Sequence, residues 1–484
     1  MNRFGSITDP TDLDALRAVI SASDGADSLV PLGMRRLEIS PAASSYAADQ
    51  VRRLLEDRGA GTKDARVLLL GDATLIRRGG EDLKGSVAAQ LEKAGFDVVR
   101  LVLGTPGHSL HADESALQEA ASAASGMDVV VVVGSGTVTD IGKVATDRAG
   151  GIPLVVVQTA ASVDGFTDNV SVVLSSGVKR TIPSRWPDAV LADTVTIATA
   201  PTELNTAGFG ELLSLFTAPA DWRLAALAGL DATFHPTPRD LLLAFAGDPS
   251  EWSAGLSDGE PAPVEQLTRV LAIRGIGTGI AGTTACLSGV EHLVSHMLDM
   301  HAAARGLPTG LHGAQVGAAS VVAAATWEHF AARAAVEAPV LAPLDLVAAE
   351  AEVLRTFAHL DPTGRLGAEC WSDCERKLRA IDAQRERIAA LLADVPGLFG
   401  DAASSLATPD ALAGSLRDAG AAAGPDELSP WIDDDLWRWA VAGCHRMRNR
   451  FTIVDLLDLL GWWSDDDVDW VLSRARTAGE GVRA

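Results

Sequence analysis

The stretch Asp-Val-Val-Val-Val-Val-Gly-Ser-Gly-Thr-Val-Thr-Asp, residues 128–140, decides the fold. Five consecutive valines without polar alternation describe a strand covered on both faces, the situation of a parallel sheet. The run breaks at Gly134-Ser135-Gly136, and a helical pattern follows over 139–148. A strand that turns through glycines into a helix offers unpaired N–H groups and the positive end of a helix dipole. Both suit a pyrophosphate, and glycine lets the backbone come close to it. The turn is not the dinucleotide fingerprint GxGxxG, because Thr139 stands at the third glycine, and Lys143 lies too far along for a Walker loop. Taken alone, such a turn serves equally well as a plain connection.

Outward from this turn the same rhythm repeats. Short apolar runs at 66–70 (RVLLL), 97–103 (DVVRLVL) and 153–157 (PLVVV) alternate with helical segments at 43–55, up to 93, and 114–125. Strands alternating with helices of this length indicate βαβ units. Asp72, just past the first run, is placed either to accept a ribose 2′-hydroxyl or to cap a helix. Beyond 198 the strand signal fades. Ala/Leu-rich helical stretches then run to the end, punctuated by Gly and Pro at 247–263, 306–310, 361–367 and 424–430. The expected architecture is a Rossmann-like parallel-sheet α/β domain over 1–198 and an all-α domain over 199–484, with a ligand cleft where they adjoin.

Bulk properties narrow the function classes. A net charge of −24 repels phosphodiester backbones and anionic lipid, so neither nucleic acid nor a membrane is an expected partner. An anionic substrate would need a local positive cluster or a metal. The four cysteines are too few for a disulfide framework, and Cys370 and Cys374, at i, i+4, lack a second ligand pair for a zinc staple. The N-terminus has no signal-peptide pattern, so a cytoplasmic protein is expected. Residues 306–327 carry no charge, but Pro308, His312 and Gln315 mark a loop entering a buried helix rather than a membrane span. The acidic, Trp-rich segment 462–470 fits either an extra packing helix or a subunit contact.

In Gly-Val-Glu-His-Leu-Val-Ser-His, residues 289–296, helical spacing puts His292 and His296 on one face, and His312 follows twenty positions after His292. A catalytic divalent ion needs about three N/O ligands and an open position. Glu211, at the end of Gly208-Phe209-Gly210-Glu211, could complete such a set. The same residues would also serve as hydrogen-bonded helix histidines and a carboxylate that complements a helix dipole.

Seven segments together resemble the sn-glycerol-1-phosphate dehydrogenase family, within the wider fold of iron-containing alcohol dehydrogenases and dehydroquinate synthases. They are VVVVGSGTVTDIGK (130–143), QTAASVDGFTDNVSV (158–172), GVKRTIPSRWPDAVLADTVTIATAP (177–201), GFGELLSLFTAPADW (208–222), SGVEHLVSH (288–296), LHGAQVG (311–317) and RNRFTIVDLL (448–457). The resemblance implies a cofactor site for NAD or NADP at Asp72, Gly134, Ser135, Gly136, Thr137, Asp140, Thr159 and Ser162. It implies a divalent metal, Zn²⁺ foremost, on Glu211, His292 and His312, with His296 behind them or structural. Asp164 would face substrate hydroxyls and Lys179 would help hold a phosphate. The implied reaction interconverts dihydroxyacetone phosphate and sn-glycerol 1-phosphate, a precursor step of glycerophospholipid synthesis; a homodimer is compatible with it. Two positions depart from the pattern: Glu211 stands where these dehydrogenases usually carry Asp, and Leu215 where a Lys is common. Those departures keep two alternatives open, a cyclase of the dehydroquinate synthase type and a silent member of the fold.

Overall fold

The computed structural model describes residues 4, 7–107, 110–175, 178–403 and 405–479, without the side chains of 175, 178 and 179. The chain divides into two compact units, Met1–Gly208 with Asp240–Gly282, and Phe209–Arg239 with Thr283–Ala484.

The valine run forms a strand because both of its faces find apolar cover. In the first unit, β1 (Arg36–Ser40), β2 (Arg66–Asp72), β3 (Asp97–Leu103), β4 (Val129–Gly134), β5 (Leu154–Gln158) and β8 (Ala189–Asp193) form one sheet; the hairpin of β6 (Val170–Ser175) and β7 (Val178–Pro183) lies between β5 and β8 in the chain. The sheet is wholly parallel, in the order β1-β8-β5-β4-β2-β3. Val129, Val131 and Val133 share a core with residues of α1 (Ala47–Asp57) and α2 (Leu83–Lys93), whereas Val132, on the opposite face, meets α4 (Gly136–Arg148). Helix α3 (Glu114–Ala124) joins β3 to β4. Buried on both faces, such a strand shows no polar alternation.

Two sheet strands are not apparent in the sequence reading. β1 lies at an edge and alternates half-buried and buried residues, so only Leu37 and Ile39 mark it; β8 is five residues long. The expected helix over 43–55 opens as a 3₁₀ turn at Ala43–Tyr46 before α1. Residues 240–282 also fall in the first unit, whereas the sequence reading placed everything after 198 in the helical domain. Helical periodicity identifies an element without saying which layer it joins. The helix Pro261–Ala281 packs tightly there through glycines, since a Cβ on Gly279 would lie 2.1 Å from the Trp186 ring and one on Gly275 would lie 2.4 Å from Asp164 O.

One buried charge cluster pins the β6–β7 hairpin to α4. Lys143 Nζ is fully buried and lies 2.7 Å from Asp168 Oδ1 and 3.1 Å from Asp140 Oδ1, while donating to Gly165 O at 2.8 Å. Asp140 also accepts the Val172 N–H at 3.1 Å. Burial, opposed by Lys143, lifts the Asp168 carboxyl to about 7. Lys143→Met leaves two buried carboxylates without a cation and is expected to destabilise the protein by about 3–5 kcal/mol. A denaturant midpoint unchanged in the variant would contradict this.

The second unit is helical: α5 (Thr202–Leu213) supplies its last residues, followed by α6 (Ala218–Leu227), α7 (Val290–Arg305), α8 (His312–Val336), α9 (Arg365–Ala383) and α10 (Ile453–Leu459). Its core gathers Trp327, Phe330, Phe357, Trp462 and Trp463, so the first two tryptophans of the Trp-rich segment pack internally while Trp470 is exposed; Trp463 Nε1 donates to Ala442 O at 3.1 Å. Asp221 on α6 ties two helix starts together, accepting the Val290 N–H of α7 at 3.1 Å and the Ile453 N–H of α10 at 3.0 Å. All four cysteines are buried free thiols. Among the described residues no helix is long and apolar enough to cross a membrane.

Candidate active site

The glycine turn lies at the point where the sheet's strand order reverses. β2 pairs with β3 on one side and β4 on the other, and ligands of open parallel sheets bind in the crevice outside the carboxyl ends of such strands. Gly71 is in register with Val133, so Asp72 and Gly134 leave the sheet side by side. Ser135 precedes α4 in extended conformation and makes no side-chain bond to its first turn. The N–H groups at that end therefore have no intrahelical acceptor. A Cβ on Gly136 would lie 2.8 Å from Val163 Cγ2, and one on Gly134 2.9 Å from Val138. The close helix–strand packing that the third fingerprint glycine provides comes from Gly142, where a Cβ would be 2.4 Å from Val132 Cγ2. Sequence reading missed this glycine because it stands two turns into the helix.

The other cofactor candidates differ in their surroundings. Asp72 does not cap α2, whose cap is Asp82; its carboxylate binds Lys84 Nζ at 2.6 Å and accepts from Thr74 Oγ1 at 2.6 Å. Thr137 lies in the first turn of α4, and Asp140 is engaged by Lys143 and the hairpin. Thr159 and Ser162 follow β5, whose Gln158 is level with Gly134. Their loop is anchored by the Ala161 N–H, which donates to Asn205 Oδ1 at 3.0 Å. Asp164 is ion-paired with Arg274, a partner that sequence reading did not single out, and Thr278 Oγ1 is 3.5 Å away. Lys179 lies on β7 opposite Leu174, and its side chain falls outside the described residues.

In the second unit the three expected metal ligands converge. Ligand atoms of Glu211, His292 and His312 all lie within 4.8 Å of one another, the only such group of three among the described residues. His292 Nε2 is 3.2 Å from Glu211 Oε1, and His312 Nε2 is 3.7 Å from Glu211 Oε2. A tetrahedral ion with bonds of ~2.0–2.2 Å sets its ligands ~3.3–3.6 Å apart, so the donors fit a divalent cation. Burial pulls the His292 imidazole down, but Glu211 and Glu291 outweigh it and hold it above its ordinary value. The site thus draws positive charge.

Both imidazoles are held with Nε2 toward Glu211. The His292 Nδ1–H donates to Glu291 Oε1 at 2.9 Å; Glu291 also accepts from the Gly289 N–H at 2.6 Å and Thr217 Oγ1 at 2.9 Å. Ser295 Oγ donates to Gln315 Oε1 at 2.8 Å, so it accepts from the His312 Nδ1–H at 2.9 Å. Each network leaves an Nε2 lone pair for a metal. His296 stacks on the His312 ring at 5.6 Å. Glu291, Ser295 and Gln315 escaped sequence reading, although each stands within three residues of a ligand histidine. Glu291→Gln is expected to weaken metal affinity by about 10–100-fold, read by competition with a chelating dye. Unchanged affinity would mean that Glu291 does not orient His292.

Backbone packing sets the distance of Glu211 from His312. A Cβ on Gly210 would lie 2.3 Å from Gly313 O, and one on Gly317 2.7 Å from Gly210 Cα, so α5 and α8 meet backbone to backbone beside the ligands.

A parallel sheet carrying a glycine turn and a helical unit carrying a two-histidine carboxylate cluster give the chain the iron-containing alcohol dehydrogenase fold. Residues 43–201 match the iron-containing alcohol dehydrogenase family. Maleylacetate reductase from Agrobacterium tumefaciens aligns over 93% of this chain and 98% of its own, at TM-score 0.54 and 16% identity. A glycerol-1-phosphate dehydrogenase [NAD(P)+] of Halalkalibacterium halodurans is 33% identical over 252 residues, 51% of this chain and 62% of that protein. The protein of the same name from Aeropyrum pernix is 31% identical over 266 residues, 55% of this chain and 72% of that protein. The chain belongs to the glycerol-1-phosphate dehydrogenase family.

Proposed function

We propose that the chain is an NAD(P)-linked dehydrogenase that interconverts dihydroxyacetone phosphate and sn-glycerol 1-phosphate. The observation that carries the reading is the pair of oriented imidazoles facing Glu211 in a chain whose other unit presents a glycine turn at the switch of a parallel sheet. Glu211, His292 and His312 would hold the ion, for which we favour Zn²⁺. A divalent cation held there would supply Lewis-acid chemistry toward a substrate carbonyl oxygen. Glu291 and Ser295 keep both imidazoles as Nε2 donors. The amides at the start of α4 take the cofactor pyrophosphate, Thr159 and Ser162 lie along the cofactor, and Asp72 accepts a ribose hydroxyl. Asp164 and Lys179 are assigned to the substrate's hydroxyls and phosphate. We place the enzyme in the cytoplasm, where four buried free thiols are at home and the product feeds glycerophospholipid synthesis.

The longer Glu211 side chain replaces a shorter carboxylate without loss of the ligand triangle, which supports an active rather than silent member. The test is NAD(P)H oxidation by purified protein with dihydroxyacetone phosphate, before and after chelation and Zn²⁺ return. Chelator-sensitive net turnover is expected. Consumption of substrate without net NAD(P)H oxidation would favour the cyclase alternative, and no turnover with any divalent metal would overturn the reading.

A further inference from the structure

Among the described residues, the fully buried lysines and arginines are matched by carboxylates. Lys143 has Asp140 and Asp168, Arg274 has Asp164, and Lys377 has Asp455 at 2.6 Å. Arg450, half-buried, has no such partner. Its Nη1 donates to Ser288 O and Ser288 Oγ, and its Nη2 to Thr284 Oγ1 at 2.9 Å; all three acceptors are neutral. Among the described residues no carboxylate oxygen lies within ion-pair distance of it. Burial, then the charge of Arg448, pull the guanidinium down to about 10. A half-buried charge held only by neutral acceptors is left with its attraction for an anion unspent.

The space for a counter-charge is present. Arg450, Ser288, Thr283, Asn449, Lys377 and Asp231 line a cavity of about 270 Å³ within the second unit. That is slightly below the ~300–1,000 Å³ of most small-ligand pockets, a size for a group of a few heavy atoms. Ser288 and Thr284 accept from Arg450, so each keeps its own O–H to donate, and a fork of guanidinium N–H groups suits a tetrahedral oxyanion. Asp231 also lines the cavity; its Oδ1 accepts from the Thr233 N–H at 2.7 Å and from Thr233 Oγ1. It would accept a hydroxyl of the ligand but repel a bare charge. In a chain of net charge −24, Arg450 is directed at neutral hydroxyls and has Arg448 two positions before it in sequence.

We propose that Arg450, with Ser288 and the neighbouring hydroxyls, forms a binding site for a small oxyanion, inorganic phosphate or the phosphate of an ester. Ser288 immediately precedes Gly289, the residue that opens the helix carrying His292. An anion bound there would steady the start of that helix.

The experiment is calorimetric titration of the metal-loaded protein with inorganic phosphate, in chloride buffer of matched ionic strength. Wild type is expected to bind one phosphate that is lost about ten- to hundredfold in affinity in Arg450→Gln and partly retained in Arg450→Lys. Phosphate held only on the metal would survive Arg450→Gln, and that result, or no binding by wild type, overturns the proposal. Should Arg450→Gln fail to fold, Ser288→Ala decides: weaker binding supports the site, and unchanged affinity overturns it. Repeating the titration at saturating dihydroxyacetone phosphate separates the sources. Competition assigns the site to the ester's phosphate, and independent binding assigns it to a free anion. Heat is released whether or not turnover occurs, so the outcome is distinguishable from failure of the dehydrogenase reading.

Discussion

His292→Ala is expected to strip the ion and lower turnover of dihydroxyacetone phosphate by about three orders of magnitude or more, because metal polarisation supplies several kcal/mol of transition-state stabilisation. The substitution removes the ligand nearest Glu211, at 3.2 Å, and leaves Glu291 without the imidazole that it orients. Two ligands, Glu211 and His312, do not hold a divalent cation firmly. Elemental analysis of the purified variant should find little bound metal, and circular dichroism should show the helices intact. Stoichiometric metal together with near-normal turnover in the variant would place the catalytic ion elsewhere.

The second large effect is expected from Gly210→Ala, which adds one methyl group and removes no ligand. Its Cβ would stand 2.3 Å from Gly313 O, a backbone atom that cannot rotate aside. Helices α5 and α8 must therefore separate, and they carry Glu211 and His312. Overpacking of this kind destabilises by about 1–3 kcal/mol. A shift of about 1 Å at the ligands is expected to reduce turnover by about a hundredfold. Thermal unfolding and steady-state kinetics measure the two effects separately. If the variant matches wild type in both, backbone proximity does not set the ligand geometry.

Much of this was legible in the sequence where a single cause dominates. The valine strands reveal themselves because burial on both faces removes polar alternation, and Gly134 and Gly136 do so because the turn after them opens a helix. The metal triangle was legible only in outline. His292 and His312 are scarce residue types, but Glu211 is one carboxylate among many, picked out by its small and apolar neighbours and supported by the family resemblance. What stayed hidden depends on partners far apart in the chain. Gly142 matters because of Val132 on the adjoining strand, and Arg274 because Asp164 lies 110 positions earlier. Edge strand β1 hid because its alternation resembles that of any half-exposed segment. The helix Pro261–Ala281 falls in the first unit, which general helical periodicity after 198 does not reveal, since its apolar residues run around its whole circumference.

Asp221 gives the candidate metal centre a timetable. One carboxylate accepts the first amides of both α7 and α10, so the helix bearing His292 and a helix near the end of the chain share an anchor. During synthesis, Glu211, His292 and His312 all leave the ribosome well before Ile453 does. A nascent chain ending before Ile453 holds every ligand and lacks the clasp that fixes α7. Firm placement of His292 therefore awaits a segment made long after it, and not merely the appearance of the last of the three clustered side chains.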